Sequence, residues 1–227
     1  MHQPGNHVPL SKDGSTLVTD EVYNTRISAL AAVLAVIGTG LLIFKGLDVD
    51  RPYYLLAMSI YGFGLINLFI FSALHHGVDG SAKTNHVLRQ FDYFAIFVMI
   101  AGSFTPFCLL LLNKPLGWII LGLVWGLTVL GIVLKAAWPA IPRWMMLVLY
   151  LGMGWLGLLI FKPVYQVVHE SGIFFLVLGG LFFSGGGIIY GLEKPNPVPG
   201  RFGFHEIWHC FVVAGAASHF YLIYHYL

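Results

Sequence analysis

Ionisable side chains occur at three distant places within otherwise apolar runs of this sequence. His75 and His76 end one run, Asp92 begins another, and His205 and His209 stand at the start of the last. Because an ionisable group in apolar surroundings costs several kcal/mol unless it is paired, each of these residues needs a reason to be there. Together they offer imidazole nitrogens and a carboxylate, which are common ligands of transition metals.

The spacing of His205 and His209 is suited to binding one metal ion. On a helix, residues four apart lie about 40° apart around the axis and about 6 Å apart along it, so both imidazoles face the same way. His76 can supply a third nitrogen from another helix. Three histidines with a fourth position open are typical of catalytic zinc, which lowers the pKa of its water to about 7. The sequence predicts such a site, and other transition ions stay open.

Other polar residues beside these histidines suggest further roles. Asp92 can accept a proton as a general base. Ser72, one turn before His76, can orient an imidazole or polarise a substrate carbonyl; the alternative is a hydrogen bond to a carbonyl of its own helix. Glu206 can hydrogen-bond a ligand or serve as an alternative base. His75 is about 100° round the helix from His76, so we predict it at the membrane interface.

The remaining histidines have structural or solvent-exposed interpretations. We predict His86 and His169 in solvated loops and His225 at the interface. His219 is about 15 Å beyond His209 along a helix, too far to share its ligand set. We therefore predict that His219 hydrogen-bonds a neighbouring helix.

Composition indicates what kind of protein positions these groups. The chain has 227 residues, of which 58% are hydrophobic and 10% charged, with a mean hydropathy of +0.80. Soluble domains carry about 25% charged residues, so a soluble fold and a disordered chain are both excluded. A net charge of +2 without a basic run gives no case for nucleic acid. Cys108 and Cys210 are predicted to be free thiols.

Hydropathy divides the chain into a polar segment, residues 1–25, and one membrane domain, residues 26–227. The first segment has no apolar stretch of a signal peptide, so we expect the first helix to act as an uncleaved signal anchor. Seven apolar runs follow, each close to the roughly 20 residues that span a bilayer and too long for barrel strands. They are Ile27–Phe44, Pro52–His75, Phe91–Leu112, Trp118–Ala137, Trp144–Phe161, Gly172–Leu192 and Phe204–Tyr226. The breaks between them carry turn residues, as at Lys162–Pro163. We predict an all-α, seven-helix transmembrane bundle.

The distribution of Lys and Arg predicts the orientation. With the N-terminus inside, eight of the twelve basic residues are cytoplasmic and four are outside, as the positive-inside rule favours. The N-terminus is then cytoplasmic, the C-terminus is outside, and the histidines and Asp92 share one depth near the cytoplasmic face. The pairs Gly122/Gly126 and Gly187/Gly191 have small-residue spacing, which we interpret as packing within the bundle rather than as a dimer face.

The stretch from His205 to His209 also matches H-E-x-x-H, in which the Glu of zinc proteases is the general base. An intramembrane metalloprotease takes a third, aspartate ligand from later in the chain. Nothing acidic follows Glu206, so the motif favours the three-histidine site over a protease.

Several motifs carry a family resemblance. They are F-S-A-L-H-H at Phe71–His76, F-D-Y at Phe91–Tyr93, A-G-S-F-T-P at Ala101–Pro106, G-F-H-E-I-W-H at Gly203–His209 and the closing His219–Phe220. In this order they resemble the hemolysin III family, the bacterial branch of the progestin and adipoQ receptor family. The similarity covers about residues 20 to 227. Bacterial members often read E-x-x-N-x-x-x-H before the first helix; Glu21 and Asn24 match, but Ser28 stands in place of the histidine.

The resemblance implies a seven-helix bundle with zinc held by His76, His205 and His209 near the cytoplasmic face. Ser72 and Asp92 fall on the remaining polar motif positions. The wider superfamily includes ceramidases and other membrane-embedded amide hydrolases, and the bacterial members are linked to lipid homeostasis. A bacterial cytoplasmic membrane is the implied location.

Three functions compete at this point. The first is a zinc hydrolase of a lipid amide or ester, with lipids bearing an acyl chain as partners. The second is a receptor-like or lipid-homeostasis protein in which zinc is structural. The third, a pore-forming hemolysin, is disfavoured because no predicted helix has a polar stripe. Substrate and oligomeric state stay open.

Overall fold

The computed structural model describes Lys12 and residues 21–227, and every regular element in this part of the chain is helical. The helices are α1 (Glu21–Gly46), α2 (Tyr54–Gly77), α3 (Ala82–Leu110), α4 (Lys114–Ala137), α5 (Arg143–Trp155), a 3-10 turn (Leu156–Ile160), α6 (Phe161–Leu192) and α7 (Phe204–Tyr226). Six stretches are long and apolar enough to cross a membrane, counting Arg143–Leu192 as one. The all-α membrane protein is confirmed, and Cys108 and Cys210 are free as predicted. Residues 1–11 and 13–20 of the predicted N-terminal segment lie outside the described residues.

The third helix starts nine residues, about two and a half turns, earlier than its apolar run. It begins at Ala82 rather than Phe91, and the Ser81 hydroxyl caps it by accepting the Thr84 N–H at 3.2 Å. The residues between Ala82 and Gln90 are mostly polar, so a hydropathy criterion leaves them out. Asp92 therefore lies inside α3, in the third turn, and not at its beginning.

The predicted break between Phe161 and Gly172 contains the interruption of the helix, but the turn residues Lys162–Pro163 do not form it. Pro163 falls in the first turn of α6, where a missing backbone N–H is tolerated. The interruption is at His169, whose backbone is non-helical with φ 53° and ψ −168°. This left-handed φ is uncommon for a residue with a Cβ. His169 is exposed as predicted, but it interrupts α6 instead of lying in a loop.

Glycines allow α2 and α3 to approach closely. A Cβ on Gly64 of α2 would lie 3.2 Å from the Met99 Cα, and a Cβ on Gly102 of α3 would lie 3.2 Å from the Ile60 carbonyl oxygen. Small residues at such a crossing let two backbones pack directly. This contact holds the end of α2, with His75 and His76, against the face of α3 that carries Asp92.

The two glycine pairs singled out by spacing behave differently. A Cβ on Gly187 or Gly191 would meet leucine side chains of α5 at 3.2 and 3.1 Å, which confirms packing within the bundle. For Gly122 and Gly126 the same prediction is wrong. Among the described residues, none places a heavy atom within 4 Å of a Cβ at either position, so this face of α4 points away from the bundle.

Candidate metal centre

The three histidines predicted as ligands come together between two helices. The end of α2 supplies His76, and the first two turns of α7 supply His205 and His209. Ring centroids lie 4.9 Å apart for His76 and His205, 4.9 Å for His76 and His209, and 4.8 Å for the α7 pair. One potential ligand atom from each lies within 4.8 Å of the others. We call these three residues the histidine cluster.

One nitrogen–nitrogen separation in the histidine cluster fits a tetrahedral ion. Two nitrogens bound to zinc at about 2.0–2.1 Å lie about 3.3 Å apart at the tetrahedral angle. The Nε2 atoms of His76 and His209 are 3.2 Å apart. The three residues are 2%, 7% and 8% exposed in chain order, so their nitrogens face one another instead of solvent. A set of imidazole nitrogens suits zinc among the divalent ions.

Glu21 of α1 contacts the outer nitrogen of His76. Its Oε2 lies 2.5 Å from His76 Nδ1, so the ring nitrogen that faces the cluster is Nε2. A carboxylate on the distal nitrogen of a histidine ligand fixes its tautomer and ring orientation. This contact gives His76 the bonding pattern of a metal ligand with an outer carboxylate partner.

Asn24 links Glu21 to Glu206. Its side-chain amide donates to Glu21 Oε2 at 3.2 Å and to Glu206 Oε1 at 2.9 Å. The other oxygen of Glu206 accepts the Gly203 N–H at 2.7 Å and caps α7. Glu206 is fully buried, and both of its oxygens have these partners. Its position is therefore that of a buried anchor at the start of α7.

His75 and Asp92 form a second group beside the cluster. Potential ligand atoms of His75, His76 and Asp92 all lie within 4.8 Å of one another. His75 is 3% exposed, so its predicted place at the membrane interface is wrong. The reason is that α3 packs against this side of α2, with Asp92 within 4.8 Å of His75.

Ser72 is buried and bonded to α1. Its Oγ lies 2.9 Å from Ser28 Oγ, and either hydroxyl can donate. The partner found for Ser72 is thus a second serine, at the position where the resembling family often carries histidine, and not a carbonyl of its own helix. Ser72 stands on the same side of α2 as His76, one turn earlier.

An apolar cavity of about 260 Å³ opens beside the histidine cluster. Its polar end includes Ser72, His75, Asp92, His205 and His209, and its walls come from α2, α3, α5, α6 and α7. Aliphatic and aromatic side chains line most of it. A largely apolar cavity with a few convergent polar groups is the usual form of a small-molecule site. This one can hold an apolar chain whose polar end reaches the histidines.

The other histidines lie outside the histidine cluster, although His219 lines the cavity. His219 Nε2 lies 3.2 Å from the Leu176 carbonyl oxygen, so the predicted bond to a neighbouring helix is confirmed. His86 is exposed, but it belongs to α3 and not to a loop. His225 is exposed near the end of α7.

Sequence reasoning missed the contribution of α1. Glu21, Asn24 and Ser28 all contact residues of α2 or α7 at the site, and the sequence prediction includes none of them among the site residues. The available signal was the E-x-x-N spacing at the start of α1, because residues three apart lie on one face of a helix. That spacing indicates a shared face but not which helix it meets.

Comparison with known proteins adds independent findings. The family model described as haemolysin-III related matches residues 17–220. Hemolysin-3 of Bacillus cereus is 31% identical over 210 residues, 92% of this chain and 93% of the relative. The Hemolysin-3 homolog of Bacillus subtilis (strain 168) is 32% identical over 208 residues, 91% and 93% of the two chains. Human monocyte to macrophage differentiation factor is 28% identical over 212 residues, which cover 92% of this chain and 84% of the relative.

Proposed function

The chain belongs to the haemolysin-III related family, and on this premise we propose that it is an integral membrane zinc hydrolase that cleaves an amide or ester bond in a lipid. The observation that carries the proposal is the convergence of three imidazoles at the polar end of an apolar cavity. His76, His205 and His209 would hold the ion. Zinc bound by three nitrogens supplies a polarised carbonyl and an activated water.

Asp92 is the residue that would move the proton. Its carboxylate lines the cavity and has an oxygen within 4.8 Å of a His76 ring nitrogen. A carboxylate in this position can accept a proton from water and return it to the leaving group. Ser72 lines the same end of the cavity. If Ser28 donates to Ser72, the Ser72 hydroxyl can donate to a substrate carbonyl.

The cavity would hold the acyl chain of the substrate. Residues such as Leu68, Met99, Phe104 and Leu151 give it an apolar wall that excludes water from the reacting groups. An acyl chain inserted there leaves its carbonyl end at the histidines. Membrane lipids with an acyl chain are therefore the proposed substrates and ligands.

We also propose seven crossings with a cytoplasmic N-terminus and an external C-terminus. His169 divides the 50-residue stretch Arg143–Leu192 into residues 143–168 and 170–192. Each part exceeds the roughly 20 residues that a crossing needs. The excess of basic residues on one side supports this orientation. The histidine cluster would then lie near the cytoplasmic face of a bacterial cytoplasmic membrane.

A receptor-like or lipid-homeostasis role with structural zinc is the second candidate. The observation in its favour is that the ligands come from α2 and α7, which are remote in sequence. An ion there would tie the two helices together, and structural zinc can contribute on the order of 10 kcal/mol. In that case Asp92 would have no part in the output of the protein.

Replacement of Asp92 separates the two candidates. We expect Asp92→Asn to keep stoichiometric zinc and to lower the rate of fatty acid release from lipid about 10²- to 10⁴-fold, because general-base catalysis is lost. The control is Asp79→Asn, which changes an exposed carboxylate between α2 and α3. Lipidomic analysis of released fatty acid beside elemental analysis measures both quantities. Unchanged turnover in Asp92→Asn, or leakage of vesicles without hydrolysis, would contradict the hydrolase.

A further inference from the structure

We propose that Glu21 and Asn24 of α1, together with Lys12, form a clamp that positions the metal ligands of α2 and α7. The proposal rests on the proposed function only in requiring a metal ion at the histidine cluster; it does not depend on hydrolysis. In this account Glu21 and Asn24 are positioning residues, and the N-terminal part of the chain contributes to metal affinity.

Glu21 acts on the α2 side of the cluster. The 2.5 Å contact between its Oε2 and His76 Nδ1 directs His76 Nε2 toward His209 Nε2, 3.2 Å away. A carboxylate at this place also makes the imidazole a stronger electron donor. Because His76 is 2% exposed, water does not compete freely for the outer nitrogen.

Asn24 extends the clamp to α7. One amide nitrogen donates both to Glu21 and to Glu206, and Glu206 stands between the two α7 histidines in sequence. Asn24 is 1% exposed and lies one turn after Glu21 on the same face of α1. The first turn of α1 therefore contacts both helices that carry the ligands and sets their separation.

Lys12 holds the other side of Glu21. Its backbone N–H donates to Glu21 Oε1 at 3.3 Å. Its ammonium donates to the carbonyl oxygens of His76 at 3.1 Å and Val78 at 2.9 Å. These carbonyls end α2, where a positive charge is favourable. Lys12 thus holds both the Glu21 carboxylate and the backbone of His76, the ligand that Glu21 contacts.

Charge explains why the clamp should raise metal affinity. Two carboxylates lie beside the cluster. Glu21 contacts His76, and Glu206, which is fully buried, accepts a hydrogen bond from Asn24. Neutral imidazoles leave the charge of a divalent ion uncompensated, whereas nearby carboxylates offset it. Removing the charge of Glu21 should therefore weaken binding of a cation, in addition to the effect on the position of His76.

The test is zinc affinity of the purified full chain, measured by competition with a chelating dye. We expect Glu21→Gln to weaken zinc binding about 10- to 100-fold, the usual effect of losing an outer partner of a histidine ligand. Glu21→Asp should recover part of the loss. Glu170→Gln, which changes an exposed carboxylate on α6, is the matched control and should bind zinc as the unaltered chain does.

Two further measurements separate positioning from folding. The absorption spectrum of the cobalt-substituted protein should change in Glu21→Gln and not in Glu170→Gln, because the ligand geometry changes. Lys12→Ala removes the ammonium from the carbonyl oxygens of His76 and Val78 but keeps the backbone N–H on Glu21. We expect the loss of these bonds at the end of α2 to outweigh the removal of one positive charge, so zinc binding should weaken up to about tenfold. If Glu21→Gln does not fold, the zinc affinity of Lys12→Ala still tests the clamp.

The outcomes are distinct. Equal zinc affinity for Glu21→Gln, Lys12→Ala and Glu170→Gln would overturn the clamp and leave the proposed metal site standing. An unaltered chain that binds no zinc, cobalt or other divalent ion would overturn both proposals. Weaker binding in Glu21→Gln and Lys12→Ala alone supports the clamp, whatever the lipid assays show.

Discussion

The histidine cluster has two unlike sides. Toward α1 it meets a dense set of hydrogen bonds, in which Glu21, Asn24 and Ser28 contact α2 and α7. Toward α5 and α6 it meets an apolar cavity of about 260 Å³. The same histidines therefore have a polar, bonded side and an apolar, open side.

The difference between these sides separates two tasks. Buried polar groups need partners, and once paired they hold a fixed geometry, as a metal site requires. An apolar cavity makes few directional contacts and can accept a flexible chain. In our account the α1 side controls the ion and the cavity side controls the lipid, so substitutions on the two sides should have separable effects.

The largest expected effect comes from removing two of the histidines that lie between the two sides. We expect the double variant His205→Ala/His209→Ala to fall from about one zinc per chain to none, because one histidine alone does not hold the ion. Elemental analysis of the purified protein measures this. His86→Ala, at an exposed position of α3, is the control, and stoichiometric zinc retained in the double variant would exclude this site.

Filling the cavity should affect the lipid and not the ion. Gly180 lines the cavity, and among the described residues no heavy atom lies within 4 Å of a Cβ built there. We expect Gly180→Phe to lower kcat/KM for lipid hydrolysis by about 10- to 200-fold, the range for a poor fit in an apolar pocket. Zinc affinity should stay unchanged.

Gly122→Phe is the matched control for that variant, since Gly122 has equal space but faces away from the bundle. Equal kcat/KM in the two glycine variants would show that the cavity does not hold the substrate. A loss of zinc in Gly180→Phe would show that the two sides are not separable.

Removal of the metal ion should lower the free energy of unfolding by an amount that depends on the affinity of the folded chain for the ion. An ion that binds the folded chain at one hundred times its Kd contributes about 2.7 kcal/mol. We expect a strong chelator to lower the temperature of unfolding of the unaltered chain, measured by intrinsic fluorescence in detergent, and zinc to restore it. The His205→Ala/His209→Ala variant should not respond to the chelator, and an equal response in both would mean that the ion acts elsewhere.

The smallest effect is expected at the serine pair on the α1 side. Ser28→Ala removes the partner of Ser72, and loss of one buried hydrogen bond costs about 1–3 kcal/mol. Thermal unfolding should show a modest decrease, with zinc stoichiometry unchanged. Ser171→Ala, at an exposed position of α6, is the reference. A loss of zinc in Ser28→Ala would make this serine part of the metal site.

The parts of the account that sequence could predict depend on local spacing and composition. Apolar runs identify the membrane helices. The four-residue spacing puts His205 and His209 on one face of a helix, and the predicted topology puts His76 at the same depth, so the cluster is predictable. The start of α3 was not predictable from hydropathy because its first turns are polar and lie beyond the apolar run. A break between Phe161 and Gly172 is predictable, but its position at His169 is not, because no glycine or proline marks that residue.

The outer partners of the histidines depend on how helices pack. Glu21 and Asn24 reach the site only because α1 lies against both α2 and α7, and no local pattern specifies that arrangement. His75 was misplaced for the same reason, since α3 covers it. A helical face can be predicted from one segment, but the neighbour that it meets requires the whole bundle.

X-ray absorption at the zinc edge of the purified, zinc-loaded protein tests the central claim most directly. The account predicts a four-coordinate ion with nitrogen ligands at about 2.0–2.1 Å, including the imidazole scattering of three histidines. Sulfur at about 2.3 Å, which only a cysteine or methionine could supply, would contradict it, as would a shell of six oxygens.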